Sequence, residues 1–396
     1  MEAAKRAPAG HGMEYPWVRL RSAASGNNLY KRMIAEVDDK ARAGDVVMVY
    51  DKSDAPFGLA LYNPRSLISL RLISRGKPDK NLEELLGERV DRAVELRRGV
   101  LGLDASANAY RLIHDQGDGF PGLTADRYGD WIVLEFYTLG MFHQAARLER
   151  LFKKHFPEAR FIHRASSHTE KMEGFRVKPQ PEAQVRIEEN GVLFEANLAA
   201  GYKTGFFCDQ RDNRLAFSRL TKGRSVLDVC AYTGGFGLYA KKLGGAGEVT
   251  CVELDPEACA RIEKNSKLNS APVEAVTVDA FPYMRQAQAN KRRWGAVVLD
   301  PYKLIASRET YGEGRGKYID LNRLALGLVE PGGVFVTCSC SGMLQWDEFQ
   351  QILRTAAGSA QRRVQILRKS GAGGDHPFAA DHPEGEYLKV IWCRVA

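Results

Sequence analysis

The sequence of 396 residues predicts an α/β fold in three parts: a β-rich unit over residues 1–76, a small central α+β unit over 77–198, and a doubly wound, Rossmann-like parallel sheet over 199–396. Three patterns carry that expectation. The first segment alternates apolar and polar residues in short runs bounded by turn residues. The second mixes such runs with helical periodicities. After Asn197, strand-like and helix-like segments alternate one for one.

In the first unit, GDVVMVYDKSDAPFGLALYN reads as a hairpin around KSDAP, and ISLRLIS as one more strand. Residues 77–101 then space Leu82, Leu85, Leu86, Val90, Ala93 and Leu96 as a helix does. YRLIH, DWIVLEFY and ARFIHR read as strands, and HQAARLERLFKKHF as a helix. GDGFPGLTADRYGD is dense in Gly, Pro and Asp and reads as a loop of tight turns.

Composition narrows the function classes. With 44% hydrophobic and 27% charged residues, the chain is an ordinary globular one rather than a disordered one. No apolar run approaches the roughly 18–20 residues of a membrane helix. The N-terminus lacks the apolar core of a secretory signal, so a cytoplasmic location is expected. All seven cysteines follow residue 200 and none is spaced C-x-x-C, so neither a metal site nor a disulfide framework is expected. The net charge of +8 favours a polyanionic partner such as nucleic acid. Residues 1–76 hold 12 Lys and Arg against 8 Asp and Glu, which is half of that excess.

The strongest local signal is RSVLDVCAYTGGFGLYAKKLG. A strand over Val226 to Val229 carries Asp228 and runs into a glycine-bearing turn, with a helix beginning near Gly235. Such a unit opens a crevice at the carboxyl end of the first strand, where glycines let the backbone approach a ligand. Any βαβ turn can carry glycines, and a dinucleotide site would read G-x-G-x-x-G. Here the run is Tyr232-Thr233-Gly234-Gly235-Phe236-Gly237. The second strand, VTCVELDP, puts Glu253 about 20 residues on, placed for two ribose hydroxyls. A third strand leads to Asp279, with Ala280 and Phe281 after it, and a fourth to Asp300. This ordered series resembles the S-adenosylmethionine site of class I methyltransferases. The resemblance implies cofactor contacts from Asp228, Tyr232, Gly234, Gly235, Glu253, Asp279, Ala280 and Asp300. In it, Asp279 meets the adenine amino group, and Ala280 and Phe281 flank the ring.

A fifth strand follows the turn Glu330–Gly333 and ends in Cys338-Ser339-Cys340-Ser341, beside the same crevice and opposite Asp300. Two buried strand-end thiols are the plain alternative to a functional pair. A thiol here has a specific use, because C5 of a pyrimidine does not take a methyl group directly. A thiolate adding to C6 makes C5 nucleophilic, and a base later removes the C5 proton as the thiolate leaves. Ser339-Cys340-Ser341 superimposes on the Ser-Cys-Asn-Pro element of RNA m5U methyltransferases, so Cys340 is the expected nucleophile. Thr337-Cys338-Ser339 matches the Thr-Cys-Ser element of an RNA m5C group, which makes Cys338 the alternative. Asp300 is expected to orient the base through N3 or the exocyclic amine.

Over nearly its whole length the sequence resembles the large-subunit rRNA cytosine-C5 methyltransferases that carry an N-terminal PUA domain. The resembling segments are YPWV, GDVVMVYD, NPRSLISLRLIS, GDGFPGLTADRYG, KTGFFCDQRDNR, SCSGM and DHPEGEYLK. The resemblance implies a PUA-like domain over 1–76, a central α+β domain over 77–198 and a methyltransferase domain over 199–396. It further implies S-adenosyl-L-methionine as cofactor, ribosomal RNA as partner, a homodimer and cytoplasmic action. Lys203 to Arg214 would form a helix closing over the cofactor, with Asp209, Gln210 or Arg211 near it. His376 reads as a loop residue. Two segments depart from the family pattern: Tyr302 stands where a second Pro is usual, and WVRLRSAASGNNLYKRMI replaces a shorter opening. Arg19, Arg21, Lys31 and Arg32 of that opening are phosphate contacts if it binds RNA, and otherwise a solvated basic face. C5-uracil methylation, exocyclic base-nitrogen methylation and a non-catalytic RNA-binding assembly factor are the alternative functions.

Overall fold

A computed structural model describes residues 7, 8, 11, 14–22, 24–180, 182–198 and 205–396. The expected start of the third part at residue 199, and Lys203, lie outside these residues.

Strands β1 (Trp17–Leu20), β2 (Asn28–Tyr30), β3 (Ile34–Val37), β4 (Val46–Tyr50), β5 (Pro56–Tyr62) and β6 (Ile68–Arg75) form one six-stranded sheet, ordered β2-β6-β5-β4-β1-β3. β4 and β5 are the expected antiparallel hairpin, and β6 the expected strand beside it. β1 and β2 come from the WVRLRSAASGNNLYKRMI opening, whose runs are too short and polar to show alternation in the sequence, and β3 begins at its last residue.

Helix α1 (Leu82–Glu95) starts at a capping box: Asn81 Oδ1 accepts from the Glu84 N–H at 3.0 Å, and Glu84 Oε2 from the Asn81 N–H at 3.1 Å. It buries Leu82, Leu86, Val90 and Ala93, with Leu85 and Leu96 half-buried. The chain continues as a π turn over Leu96–Val100, which holds the fully buried Arg97.

Strands β7 (Ala109–His114), β8 (Leu123–Tyr128) and β9 (Trp131–Phe136), short helices α2 (Leu139–Phe142) and α3 (Ala145–Lys153), strand β10 (Arg160–Arg164) and helix α4 (Ser167–Glu173) build the centre. The sheet order is β10-β9-β8-β7. β8 corrects the sequence reading, which took LTADRY as part of a loop. Its Asp126 is buried and pairs across the sheet with Arg111 of β7 at 2.5 Å. An acid that usually marks a turn is here a cross-strand partner.

A hairpin of β11 (Gln184–Glu189) and β12 (Val192–Asn197) precedes α5 (Arg211–Ser218), β13 (Val226–Val229), α6 (Gly235–Lys242), β14 (Val249–Glu253), α7 (Pro256–Leu268), β15 (Glu274–Thr277), α8 (Ala280–Ala289), β16 (Trp294–Leu299), α9 (Tyr311–Gly327), β17 (Val329–Ser339), α10 (Trp346–Ser359), β18 (Val364–Ser370) and β19 (Lys389–Val395). The last seven strands form one sheet, ordered β15-β14-β13-β16-β17-β19-β18. β13 to β17 are parallel, and β19 runs antiparallel between β17 and β18. The order reverses between β13 and β16, so the crevice lies at their carboxyl ends. Buried Val, Leu and Ile cover both faces of this sheet, as a doubly wound sheet requires.

The hairpin β11–β12 sits on α7 rather than on the central sheet alone. Asn265 and Asn269 accept from the Glu195 and Leu193 N–H groups at 2.9 and 2.8 Å. Glu330–Gly333 also differs from expectation: it lies inside β17 as a bulge. The register steps from Trp294↔Val329 to Ala296↔Val334, with Gly332 at φ +78°. Pairing resumes past the insertion, so the strand is not interrupted.

Candidate functional site

The turn after β13 is strained and tightly held. Cys230 and Tyr232 have φ of +62° and +50°, a conformation uncommon for side-chain-bearing residues, and Gly234 follows at +81°. The Tyr232 N–H donates to Glu253 Oε2 at 2.7 Å, and Asn265 Nδ2 to the Thr233 carbonyl at 3.1 Å. Glu253 Oε1 takes the Leu254 and Asp255 N–H groups at 2.8 and 3.0 Å. The carboxylate expected at the ribose thus also staples the end of β14 to the glycine turn. A Cβ on Gly235 would meet Arg214 Cδ at 2.8 Å, and one on Gly237 would meet Cys251 Sγ at 2.4 Å. Arg214 is held from behind by Glu189, at 2.9 and 3.0 Å.

Asp228 is buried beneath this turn. Its Oδ2 accepts from the Gly237 N–H at 2.9 Å, and its Oδ1 has no hydrogen-bond partner among the described residues. Burial pushes its carboxyl up to about 7, with the charges of Asp300 and Glu253 adding to the effect against the Gly237 hydrogen bond. Asp279 caps α8 through a 2.8 Å bond from the Phe281 N–H, and Ala280 and Phe281 open that helix half-buried. β15 itself stops two residues earlier, at Thr277. An orphaned buried acceptor, a glycine-lined turn and carboxylates at two successive strand ends fit a ligand bearing a positive charge and hydroxyl groups.

The Asp228 environment has a consequence for stability. A carboxyl raised in the fold favours folding while protonated, and that advantage is lost as pH rises from about 4 to about 7. Asp228→Asn lacks this titration. The variant should therefore gain about 2–4 kcal/mol on the wild type between pH 4 and pH 8. Urea unfolding at both pH values measures the gain; an equal difference at both overturns it.

Across the switch point, Asp300 follows β16 and the thiols end β17. Gln210 Nε2 donates to Asp300 Oδ2 at 3.0 Å. Cys338 is fully buried. Burial and then the Asp300 charge push its thiol up, opposed by a hydrogen bond from Gln210. Cys340 is half-buried, one residue past the strand. Ser339 pairs in register with Lys389, a buried lysine whose Nζ donates to the Tyr387 carbonyl at 3.0 Å. Burial lowers the Lys389 ammonium, against the nearby charges of Glu386 and Cys340. Tyr387 in turn donates to Asp209 Oδ2 at 2.6 Å. Tyr302 is 68% exposed beside Asp300.

Asp228, Tyr232, Gly234, Gly235, Glu253, Asp279, Ala280, Asp300, Cys338 and Cys340 thus lie at or just past the carboxyl ends of β13 to β17. Lys203 lies outside the described residues. Cys208–Gln210 is a single 3-10 turn, and the helix proper begins at Arg211. The sequence reading placed Asp209, Gln210 and Arg211 only generally, and it did not single out Tyr387 or Lys389. They sit inside KTGFFCDQRDNR and DHPEGEYLK, the long family-like segments, which were the available signal. His376 is a loop residue as expected, yet it is buried, with its ring 5.1 Å from that of His114. In the opening, Arg19 is already paired with Glu36 and Asp54 at 2.5 and 2.6 Å.

Residues 158–360 match the S-adenosylmethionine-dependent methyltransferase family, and residues 27–75 match a PUA-like domain. The chain belongs to the S-adenosylmethionine-dependent methyltransferases. This methyltransferase is 34% identical over 392 residues to ribosomal RNA large subunit methyltransferase I of Photobacterium profundum, covering 96% of this chain and 95% of that protein. It is 33% identical over 375 residues to the protein of the same name from Pseudoalteromonas atlantica, covering 93% and 94%. Among solved structures, a methyltransferase crystallised with SAH aligns at a TM-score of 0.78 and 21% identity, over 96% of this chain and 99% of that one. A SAM-dependent methyltransferase from Streptococcus mutans aligns with the same score, identity and coverage. The methyltransferase thus has an N-terminal PUA-like domain and a C-terminal Rossmann-like catalytic fold, and its cofactor is S-adenosylmethionine.

Proposed function

We propose that this methyltransferase forms 5-methylcytosine in large-subunit (23S) ribosomal RNA, with Cys340 as the nucleophile. The observation that carries the reading is a half-buried thiol just past β17, next to the β16 end that bears Asp300, with the glycine turn one strand further on. The names of its relatives support ribosomal RNA as the substrate. Cys338 is the weaker candidate, because full burial keeps it from a base and holds it as a thiol.

In this reading Asp228, Tyr232, Gly234, Gly235, Glu253, Asp279 and Ala280 hold the cofactor, and Asp300 borders both ligands. The bound cofactor supplies an electrophilic methyl group at a sulfonium. Asp300 accepts a hydrogen bond from the base edge and fixes its orientation. The Cys340 sulfur bonds to C6, and the C5=C6 electron pair becomes available at C5. After methylation a base takes the C5 proton, the S–C6 bond breaks, and the double bond is restored. In this reading the exposed Tyr302 stacks on an everted base. The PUA-like part is assigned to residues 1–76, the central part to 77–198 and the catalytic part to 199–396. The enzyme works as a homodimer in the cytoplasm.

The test is a trap. Fluorine at C5 cannot leave as a proton does, so 23S RNA carrying 5-fluorocytidine should remain covalently attached to the wild type. Mass spectrometry of the adduct identifies the cysteine. An adduct at Cys338 moves the nucleophile, and trapping only by 5-fluorouridine moves the base. No adduct, with methyl transfer intact on ordinary RNA, overturns C5 chemistry in favour of an exocyclic nitrogen.

A further inference from the structure

A directional chain of hydrogen bonds ends on Asp300. The indole Nε1 of Trp392 can only donate. It donates to Ser370 Oγ at 2.8 Å, and the Ser370 hydroxyl passes its own proton to Asn213 Oδ1, also at 2.8 Å. Asn213 Nδ2 therefore points the other way. It donates to the Gly371 carbonyl at 2.9 Å and to Gln210 Oε1 at 2.7 Å. With its oxygen so engaged, Gln210 presents its nitrogen to Asp300 Oδ2 at 3.0 Å and to the Cys338 thiol. Gln210, Asn213 and Trp392 are buried, and Ser370 is half-buried.

The chemistry of the two ends matters more than the distances. An amide group can turn by half a revolution and swap donor for acceptor at little cost in shape. A Gln210 oxygen facing Asp300 would repel its carboxylate. The Gly371 carbonyl only accepts, so it fixes the Asn213 nitrogen on its own side, and Gln210, accepting from that nitrogen, has one orientation left.

We propose that Trp392, Ser370, Asn213 and Gln210 form a one-way relay that positions Asp300 as a hydrogen-bond acceptor for an N–H of the target base. The proposal rests on the reading of Asp300 as the base-orienting group. The four residues are positioning residues, acting through Asp300. They lie on α5, β18 and β19 and in the turn before α5, so the orientation of a group at the end of β16 is set from the far edge of the sheet.

Asn213→Asp keeps the shape and removes the donor. Gln210 then turns its oxygen toward Asp300. We expect kcat for methyl transfer to 23S RNA to fall about 10- to 100-fold, as for other outer-shell partners. KM for the cofactor should change far less than kcat, because Glu253 and the glycine turn are untouched and only Asp300, which borders both ligands, is repositioned. Ser370→Ala should be much milder, since the Gly371 carbonyl still holds Asn213. A purely structural role would instead lower the two variants in proportion to their stability.

A second readout needs no RNA. In protein labelled with nitrogen-15 at Gln, the side-chain amide of Gln210 is assigned by its loss in Gln210→Leu. Its resonance should move in Asp300→Asn and in Asn213→Asp. An unmoved resonance overturns the relay. So does a moved resonance with unchanged kcat in Asn213→Asp. A moved resonance in an enzyme whose wild type makes no C5 product leaves the relay standing and rejects the reaction assigned above.

Discussion

Replacing Cys340 by Ala should lower kcat by about four orders of magnitude or more, as removal of a covalent nucleophile does elsewhere. Cofactor affinity, read by calorimetry, should stay within about twofold, because every group assigned to the cofactor lies on other strand ends. Cys338→Ala should retain most of the activity. Its thiol is fully buried and its loss opens only a small void, about 1 kcal/mol of packing. The contrast between two cysteines two positions apart is the informative part. Equal losses would mean that the β17 end fails as a structure, and near-normal turnover in both would remove the thiol from the chemistry.

Asp375→Ala should destabilise the protein by about 3–5 kcal/mol, because it leaves the buried Arg211 guanidinium with only the exposed Asp212 as counter-charge. Asp375 is fully buried. Arg211 grips it from two nitrogens at 3.1 and 3.0 Å, the Arg111 N–H donates to it at 3.0 Å, and His376 Nδ1 lies 3.2 Å away. Its backbone carbonyl takes Arg97 Nη2 at 2.6 Å, and Arg97 also pairs with Asp118. Burial works against the Asp375 carboxylate, but His376 and Arg211 hold it well below the usual carboxylate range. A depressed carboxyl stabilises the fold above the unfolded pKa and loses that contribution as pH falls. The gap between wild type and variant should therefore be full above about pH 4 and narrow below it. Urea denaturation across that range measures it, and a gap under about 1 kcal/mol at pH 7 refutes it.

The sequence made the catalytic sheet legible because each strand end carries a chemically distinctive residue. Asp228, Glu253 and Asp300 could be ordered along the chain before any were ordered in space. The hairpin of β4 and β5 and the face of α1 were legible from periodicity. β8 was not, because its buried Asp126 looks like a turn residue until Arg111 is placed across from it. The π turn at Arg97 leaves no mark in periodicity. The bulge in β17 reads as a turn from Glu330-Pro331-Gly332-Gly333, since nothing local says that pairing resumes beyond it. Gln210, Asn213, Ser370 and Trp392 are individually unremarkable polar or core residues, and only their joining across α5, β18 and β19 gives them a direction.

The segment between β18 and β19 ties distant stretches together. Asn27 bonds to Asp381 across 354 positions, Arg97 to Asp375 across 278, and Arg211 to Asp375 across 164. Contacts of such span form late, because each must first overcome the loop entropy of everything between. The segment thus acts as a clasp: one loop fastens the opening sheet through Asn27, the central unit through Arg97 and the catalytic part through Arg211.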